Sequence, residues 1–321
     1  MMPPVSRRVF AGAAAGLALG LGRAAAAQPL SVVTTTAMLG DAVRMLAGDA
    51  VKVESLMGEG VDPHLYRPTR ADIVKLTAAD LVIAHGLNLE AQFRETFAQI
   101  GRQRPVVFAA DAVPRERRLN DQEVPDKPDP HVWMDPGLWI VVVRAVAHAL
   151  ETHGRPNRDP VTPRLASTLA ELQALGTYAS GILSSVPAER RLLVTAHDAF
   201  GYLARAFDFE VHGIQGLSTE SEAGLKSIEA TVELMVKRRI PAIFVESSVS
   251  DRNVRAAIEG AARRGHTVAI GAELFSDAMG KPGTYEGTYL GMIDHNVTAI
   301  ARALGGTAPE RGMSGRLNVA G

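Results

Sequence analysis

The stretch Pro163-Arg164-Leu165-Ala166-Ser167-Thr168-Leu169-Ala170-Glu171-Leu172-Gln173-Ala174-Leu175-Gly176-Thr177-Tyr178-Ala179-Ser180-Gly181-Ile182-Leu183-Ser184-Ser185-Val186 decides how this chain is organised. Leu165, Leu169, Leu172, Leu175, Tyr178 and Ile182 recur every three or four residues, one continuous helical stripe. Only Gly176 interrupts helix-forming sequence between Leu165 and Ser180, so one helix is expected rather than two short ones. About 22 residues at 1.5 Å each give roughly 33 Å, enough to run down one side of two lobes. A helical connection is stiffer than a polar loop and disfavours wide hinge opening.

Outward from that helix, both flanks carry the same rhythm. On the amino side, Leu30–Thr35, Val51–Met57, Asp80–Ala84 and Pro105–Ala109 read as strands, with helices at Ala37–Ala47, Ala71–Thr77 and Glu90–Gly101. On the carboxyl side, strands are expected at Arg191–Thr195, Glu210–Ile214, Ala242–Glu246 and Thr267–Ile270. Helices at Ala199–Phe207, Gly224–Arg239 and Val254–Arg264 alternate with them, and Tyr289–Leu304 closes the fold. Alternation of this kind implies parallel β/α units with right-handed crossovers. The fold class is α/β, with two parallel-sheet lobes joined by one long linker helix. The divisions are an amino-terminal lobe at 28–158, the linker at 159–187, and a carboxyl-terminal lobe at 188–321 with a loose tail from Gly305.

Residues 1–27 read as a cleaved signal peptide: Ser6-Arg7-Arg8-Val9-Phe10, an apolar run from Ala11 to Gly22, then Ala24-Ala25-Ala26-Ala27. The paired arginines suit the twin-arginine export route, and the mature chain would start at Gln28 as a soluble periplasmic protein. The 321 residues carry a formal net charge of -1, which gives no reason to expect a nucleic-acid partner. There is no cysteine, so disulfides, thiolate metal sites and a cysteine-borne lipid anchor are excluded. Any metal site has to be built from His, Asp and Glu.

Nine histidines are present. His64 and His131 share the local frame Asp-Pro-His-aliphatic-aromatic, in Asp62-Pro63-His64-Leu65-Tyr66 and Asp129-Pro130-His131-Val132-Trp133. Flanking prolines stiffen the backbone, which suits a ligand held in place before its ion arrives. His197 follows a strand end and precedes a helix, where open α/β sheets bind ligands. Any one loop histidine is more often a surface residue; three beyond strand ends, two in a repeated frame, point to a metal. A carboxylate is expected as the fourth ligand to offset the ion's charge. Asp277 is the best candidate, Glu273 its competitor, and an Asx-turn or cap role the plainer alternative for Asp277. Glu246, Asp198, Asp62 and His85 are candidates to orient the imidazoles, with a cap role favoured for Asp198 and a structural one for His85. His148, His153, His212, His266 and His295 read as surface or packing residues. Trp133 and Trp139 are expected to pack the amino lobe.

These motifs, with Ala196-His197-Asp198-Ala199, Leu274-Phe275-Ser276-Asp277-Ala278-Met279-Gly280 and the run from Gly283 through Tyr289 to Asn296, resemble the cluster A-I solute-binding proteins. That is the TroA, ZnuA and PsaA group serving zinc and manganese ABC importers. The resemblance spans essentially the whole mature chain. It implies an ion in the interlobe cleft, held by His64 and His131 from one lobe and His197 and Asp277 from the other. It also implies a monomer carrying one Zn2+ or Mn2+ as transported ligand to an ABC permease and its ATPase at the inner membrane. His197 stands where several manganese-selective members have glutamate, which puts zinc ahead. The interval 114–128 lacks the His-rich loop of many zinc members, which brings manganese closer. The rival class is a zinc hydrolase using the same four residues, which needs an open coordination position and a general base. A periplasmic metal-storage or adhesion protein shares the site and differs only in partner.

Overall fold

The computed structural model describes residues 29–121, 124–154 and 161–318. The signal-peptide reading at 1–27 lies outside the described residues. The amino lobe starts β1(Leu30–Thr36), α1(Ala37–Ala47), β2(Val51–Met57), α2(Arg70–Ala78), β3(Leu81–Ala84), α3(Arg94–Ile100) and β4(Val106–Phe108). Its four strands form a parallel sheet in the order β2-β1-β3-β4. Val82, Ile83 and Ala84 are buried on both faces, as expected of a sheet covered by helices.

One element escaped the sequence pattern. Helix α4(Pro136–His153) occupies a stretch whose Ile140-Val141-Val142-Val143 run has no 3.6-residue stripe. Asp135 starts it, its side chain accepting from the Gly137 amide, with Pro136 at the first turn. Leu138, Trp139, Val142, Val143 and Val146 are all fully buried and form a broad inward face, while Arg144, His148 and Glu151 lie on the exposed side.

The long helix is α5(Thr162–Leu183), one unbroken run of 22 residues. Leu172 and Leu175 are fully buried, and Leu165, Leu169, Tyr178 and Ile182 pack against the same core. The carboxyl lobe follows with β5(Leu192–His197), α6(Gly201–Phe207), β6(Glu210–Gln215), α7(Leu225–Arg238), β7(Ala242–Glu246), α8(Arg252–Arg263), β8(Ala269–Leu274) and α9(Tyr289–Ala303). Strands β5 and β6 pair in parallel, as do β7 and β8, and β5 lies against β7. β8 runs four residues beyond the expected end at Ile270, with an irregular register opposite Ile243 to Val245. The described part of the tail, expected to be loose, is pinned instead. The Met313 amide donates to Asp294 at 2.9 Å, the Asn318 amide to Glu286 at 2.7 Å, and the Arg316 guanidinium sits over the Tyr285 ring.

The largest core cluster is shared by the two lobes. It takes in Trp133 and Trp139 from the amino lobe and Tyr289, Met292 and Ile293 from α9. Tyr289 stacks on Trp139 with centroids 5.1 Å apart, its hydroxyl donates to the Trp133 carbonyl at 2.8 Å, and its amide donates to Asp41 at 2.8 Å. The Trp133 indole donates in turn to the Ser276 carbonyl at 2.8 Å. Both tryptophans therefore fasten lobe to lobe, beyond packing the amino lobe alone. Tyr289→Phe should leave the buried Trp133 carbonyl without that donor and lower stability by about 1–2 kcal/mol. Urea unfolding of both proteins measures this, and coincident midpoints would show the tie to contribute nothing.

Candidate metal centre

Each candidate ligand is presented by a backbone segment with its own anchor. His64 lies in the turn after β2, where Tyr66 N–H bonds the Asp62 carbonyl and the His64 amide donates to Asp62 Oδ1 at 2.8 Å. His131 repeats this frame: its amide donates to Asp129 Oδ1 at 2.9 Å, and its ring Nδ1 lies 2.7 Å from the same oxygen. His197 is the last residue of β5, and Glu246 at the end of β7 takes both its amide (2.8 Å) and its Nδ1 (2.5 Å). Gly213 on β6 lets the strands close here, since a Cβ would stand 2.5 Å from the Asp198 nitrogen. Asp277 follows β8 in the segment fastened by the Trp133–Ser276 bond.

These four side chains, from four separate βα units, converge between the lobes. One ligand atom from each lies within 4.8 Å of the others. His64 Nε2 is 3.3 Å from His131 Nε2, His131 Nε2 is 3.4 Å from Asp277 Oδ1, and His197 Nε2 is 3.3 Å from Asp277 Oδ2. His131 and His197 are fully buried, and Asp277 and His64 are 3% and 5% exposed, so water cannot satisfy them. His197 Nε2 and Asp277 Oδ1 have no hydrogen-bond partner at all. Orphaned buried lone pairs are costly, and donors aimed at one point suit an electrophile placed there. A tetrahedral ion with bonds of about 2.0–2.1 Å sets its donors about 3.3–3.4 Å apart.

Electrostatics within the cluster divide the histidines. Burial, with the charged imidazoles nearby, pushes His64 down to about 3. Burial also opposes a charged His131, but the Asp129 and Asp277 carboxylates outweigh it and lift that ring to about 9. His197 rises well above its ordinary value, because Glu246 and Asp277 overcome the same burial. Asp277 is held well below the usual carboxylate range, burial being outweighed by His197 and His131.

The remaining candidates separate cleanly. Glu273 is exposed within β8, paired opposite Val245, and its carbonyl meets His295 away from the cluster. Asp198 neither orients an imidazole nor caps α6. The helix starts at Gly201 without a side-chain cap, and Asp198 Oδ1 is buried without a partner, pushed up to about 6 by burial and Asp129. Asp62 braces the His64 main chain rather than its ring. His85 is fully buried with Nε2 2.8 Å from the Pro130 carbonyl and its ring edge-on to Trp133, a support beneath the His131 loop. Of the other histidines, His212 meets Thr231 and His266 the Ile240 carbonyl, both away from the cluster. Sequence reasoning missed Asp129 as the partner of the His131 ring. The repeated Asp-Pro-His frame was the available signal, because an Asp two residues ahead can reach the following amide and, with a suitable rotamer, the ring.

Two α/β lobes on a long helix, with three histidines and an aspartate buried between them, define a metal-binding solute-binding protein. The chain belongs to the family described as zinc-uptake complex component A, periplasmic (ZnuA), whose model matches residues 32–303. It is 45% identical over 281 residues to the zinc-binding protein TroA of Treponema pallidum, covering 88% of this chain and 90% of that protein. It is 41% identical to the manganese-binding lipoprotein MntA of Bacillus subtilis, over 86% of this chain and 90% of that one. The solved structure of the periplasmic zinc-binding TroA superposes with a TM-score of 0.84 at 44% identity, over 86% of this chain and 99% of that chain. The family is one of solute-binding proteins, not enzymes.

Metal ligation requires unprotonated imidazoles. Because His131 and His197 have raised values, protons compete with an ion until pH climbs through about 9 for His131. Apparent affinity should therefore increase from pH 6 to pH 9, with about two protons released per ion at neutral pH. Titration calorimetry in buffers of different ionisation enthalpy counts them. A binding heat independent of buffer would show that both rings are already neutral.

Proposed function

We propose that this protein captures one divalent transition-metal ion, zinc or manganese, through His64, His131, His197 and Asp277, and carries it as a monomer to an ABC permease powered by its ATPase. The observation that carries this reading is the set of three 3.3–3.4 Å separations among buried nitrogen and oxygen atoms, two of them without any other partner. Imidazole and carboxylate suit zinc, manganese and iron alike, and the Irving–Williams order ranks zinc above manganese at such a site. The 45% identity to a protein named for zinc favours zinc. The likeness to a protein named for manganese keeps that ion as the second choice. Asp277 presents Oδ1 to His131 and Oδ2 to His197, so both oxygens are placed to meet an ion and to admit a coordination number above four.

Protein stripped with chelator should take up one equivalent of zinc, measured by elemental analysis after gel filtration. His197→Ala or Asp277→Ala should weaken binding by at least about 100-fold, as expected when a ligand is lost from a closed site. Wild-type affinity in the double variant would sink the assignment, and zinc–manganese competition on the wild type orders the two ions.

The finer reading of location rests on the amino terminus. Ser6-Arg7-Arg8-Val9-Phe10 supports export by the twin-arginine route, which moves folded proteins, into the periplasm. The Bacillus relative is named a lipoprotein, whereas this sequence contains no cysteine to carry a lipid. Replacing both arginines with lysine should leave the protein in the cytoplasmic fraction. Unchanged export would point to the general secretory route instead.

A further inference from the structure

His64 lies on the wall of a narrow crevice of about 20 Å3 between the lobes, room for roughly one water. The amino-lobe wall includes Leu87 and Asn88, whose φ angles of 51° and 64° place two consecutive side-chain-bearing residues in the left-handed region. That strained wall is braced from its own lobe. The Leu87 amide donates to Asp111 at 3.0 Å, and Arg94 donates to the Asn88 side chain at 2.8 Å. The facing wall, Leu217, Ser218 and Glu220, belongs to the loop after β6, with Thr219 between the last two in the chain. Gln215 sets this loop's shape, donating to the Thr219 and Ser221 carbonyls at 3.0 and 2.6 Å.

Two hydrogen bonds clasp the walls together. Thr219 Oγ1 donates to Asp62 Oδ2 at 2.5 Å, and Gln92 Nε2 donates to Glu220 Oε1 at 2.8 Å. The Asp62 bond is the more consequential, because the other oxygen of that carboxylate holds the His64 amide. One side chain thus joins a loop of the carboxyl lobe to the backbone of a ligand in the amino lobe. Thr219 is 8% exposed, so little water competes for its hydroxyl.

We infer that Thr219 is a positioning residue which, with the Gln92–Glu220 bond, closes the crevice over His64 and sets the rate of ion exchange rather than its equilibrium. This rests on reading the four-residue cluster as the ion site. Neither bond touches the cluster's ligand atoms, so breaking them shifts the ion-free and ion-loaded proteins together while lowering the barrier to opening. The shared core beneath α5 and α9 resists lobe separation, which leaves this loop as the part that moves.

Stopped-flow zinc release to excess chelator, and reloading of stripped protein, test the clasp in the wild type, Thr219→Val, Thr219→Ser and Gln92→Ala. Combining Thr219→Val with Gln92→Ala should accelerate release and uptake alike by about tenfold, with the equilibrium constant within about threefold of wild type. Thr219→Ser keeps the hydroxyl and should restore wild-type rates. Gln92 is exposed on the surface, so its single variant reports on the clasp even if the valine variant folds poorly. Unchanged rates in the combined variant overturn the inference, as does faster release with a proportional loss of affinity, which would make Thr219 a stabiliser of the loaded state. If the wild type fails to take one zinc per chain, the site reading itself fails, a result separate from rates that ignore the clasp.

Discussion

The carboxylate of Asp277 meets His131 of the amino lobe with one oxygen and His197 of its own lobe with the other, at 3.4 and 3.3 Å. Much of the remaining architecture answers to that placement. An ionised carboxylate without solvent is tolerable only among opposite charges or strong donors. Here those are imidazoles delivered by a different sheet and a different loop. Lobes that drifted apart would leave Asp277 buried beside a gap, so the cluster needs a joint that does not drift.

The joint consists of a helix and a set of aromatic ties. α5 runs unbroken for 22 residues, while α9 brings Tyr289 under Trp139 and against the Trp133 carbonyl. Trp133 closes the chain of contacts: its ring stands edge-on to His131 at 5.2 Å, and its indole nitrogen holds the Ser276 carbonyl next to Asp277. Packing that tight transmits position well and accommodates little motion. Exchange of a buried ion then falls to surface loops, where hydrogen bonds such as Thr219 to Asp62 open without disturbing the core.

Every histidine that the amino-acid order singled out has an acidic residue behind it, though each is used differently. Asp129 takes both the amide and the ring of His131, Glu246 does the same for His197, and Asp62 takes only the His64 amide. The rings of His131 and His197 are thereby fixed in orientation and tautomer with Nε2 facing the cluster. His64, with its ring free of a carboxylate and its pKa depressed to about 3, enters as a neutral ligand.

Local pattern and residue chemistry determined a good deal by themselves. The alternation of strands and helices, the apolar stripe of the long helix, and the four residues that meet between the lobes were legible because each depends on spacing within one element or on side-chain chemistry. α4 was not legible, since the continuous apolar run Ile140-Val141-Val142-Val143 blurs the period that exposed Arg144, His148 and Glu151 mark, and neither was the pinning of residues 305–318, which depends on Asp294 and Glu286. Glu246 could be suspected from its position at a strand end, but Asp129 over Asp198 as a histidine's partner could not be settled from neighbours in the chain. That choice turns on rotamer and loop path: Asp129 folds back onto His131, while the turn at 198–200 leaves Asp198 Oδ1 without a partner. Only the tertiary structure decided which carboxylate faces which ring and where the lobes touch, because a hydrogen bond between residues 49 or 157 positions apart has no local signature in the chain.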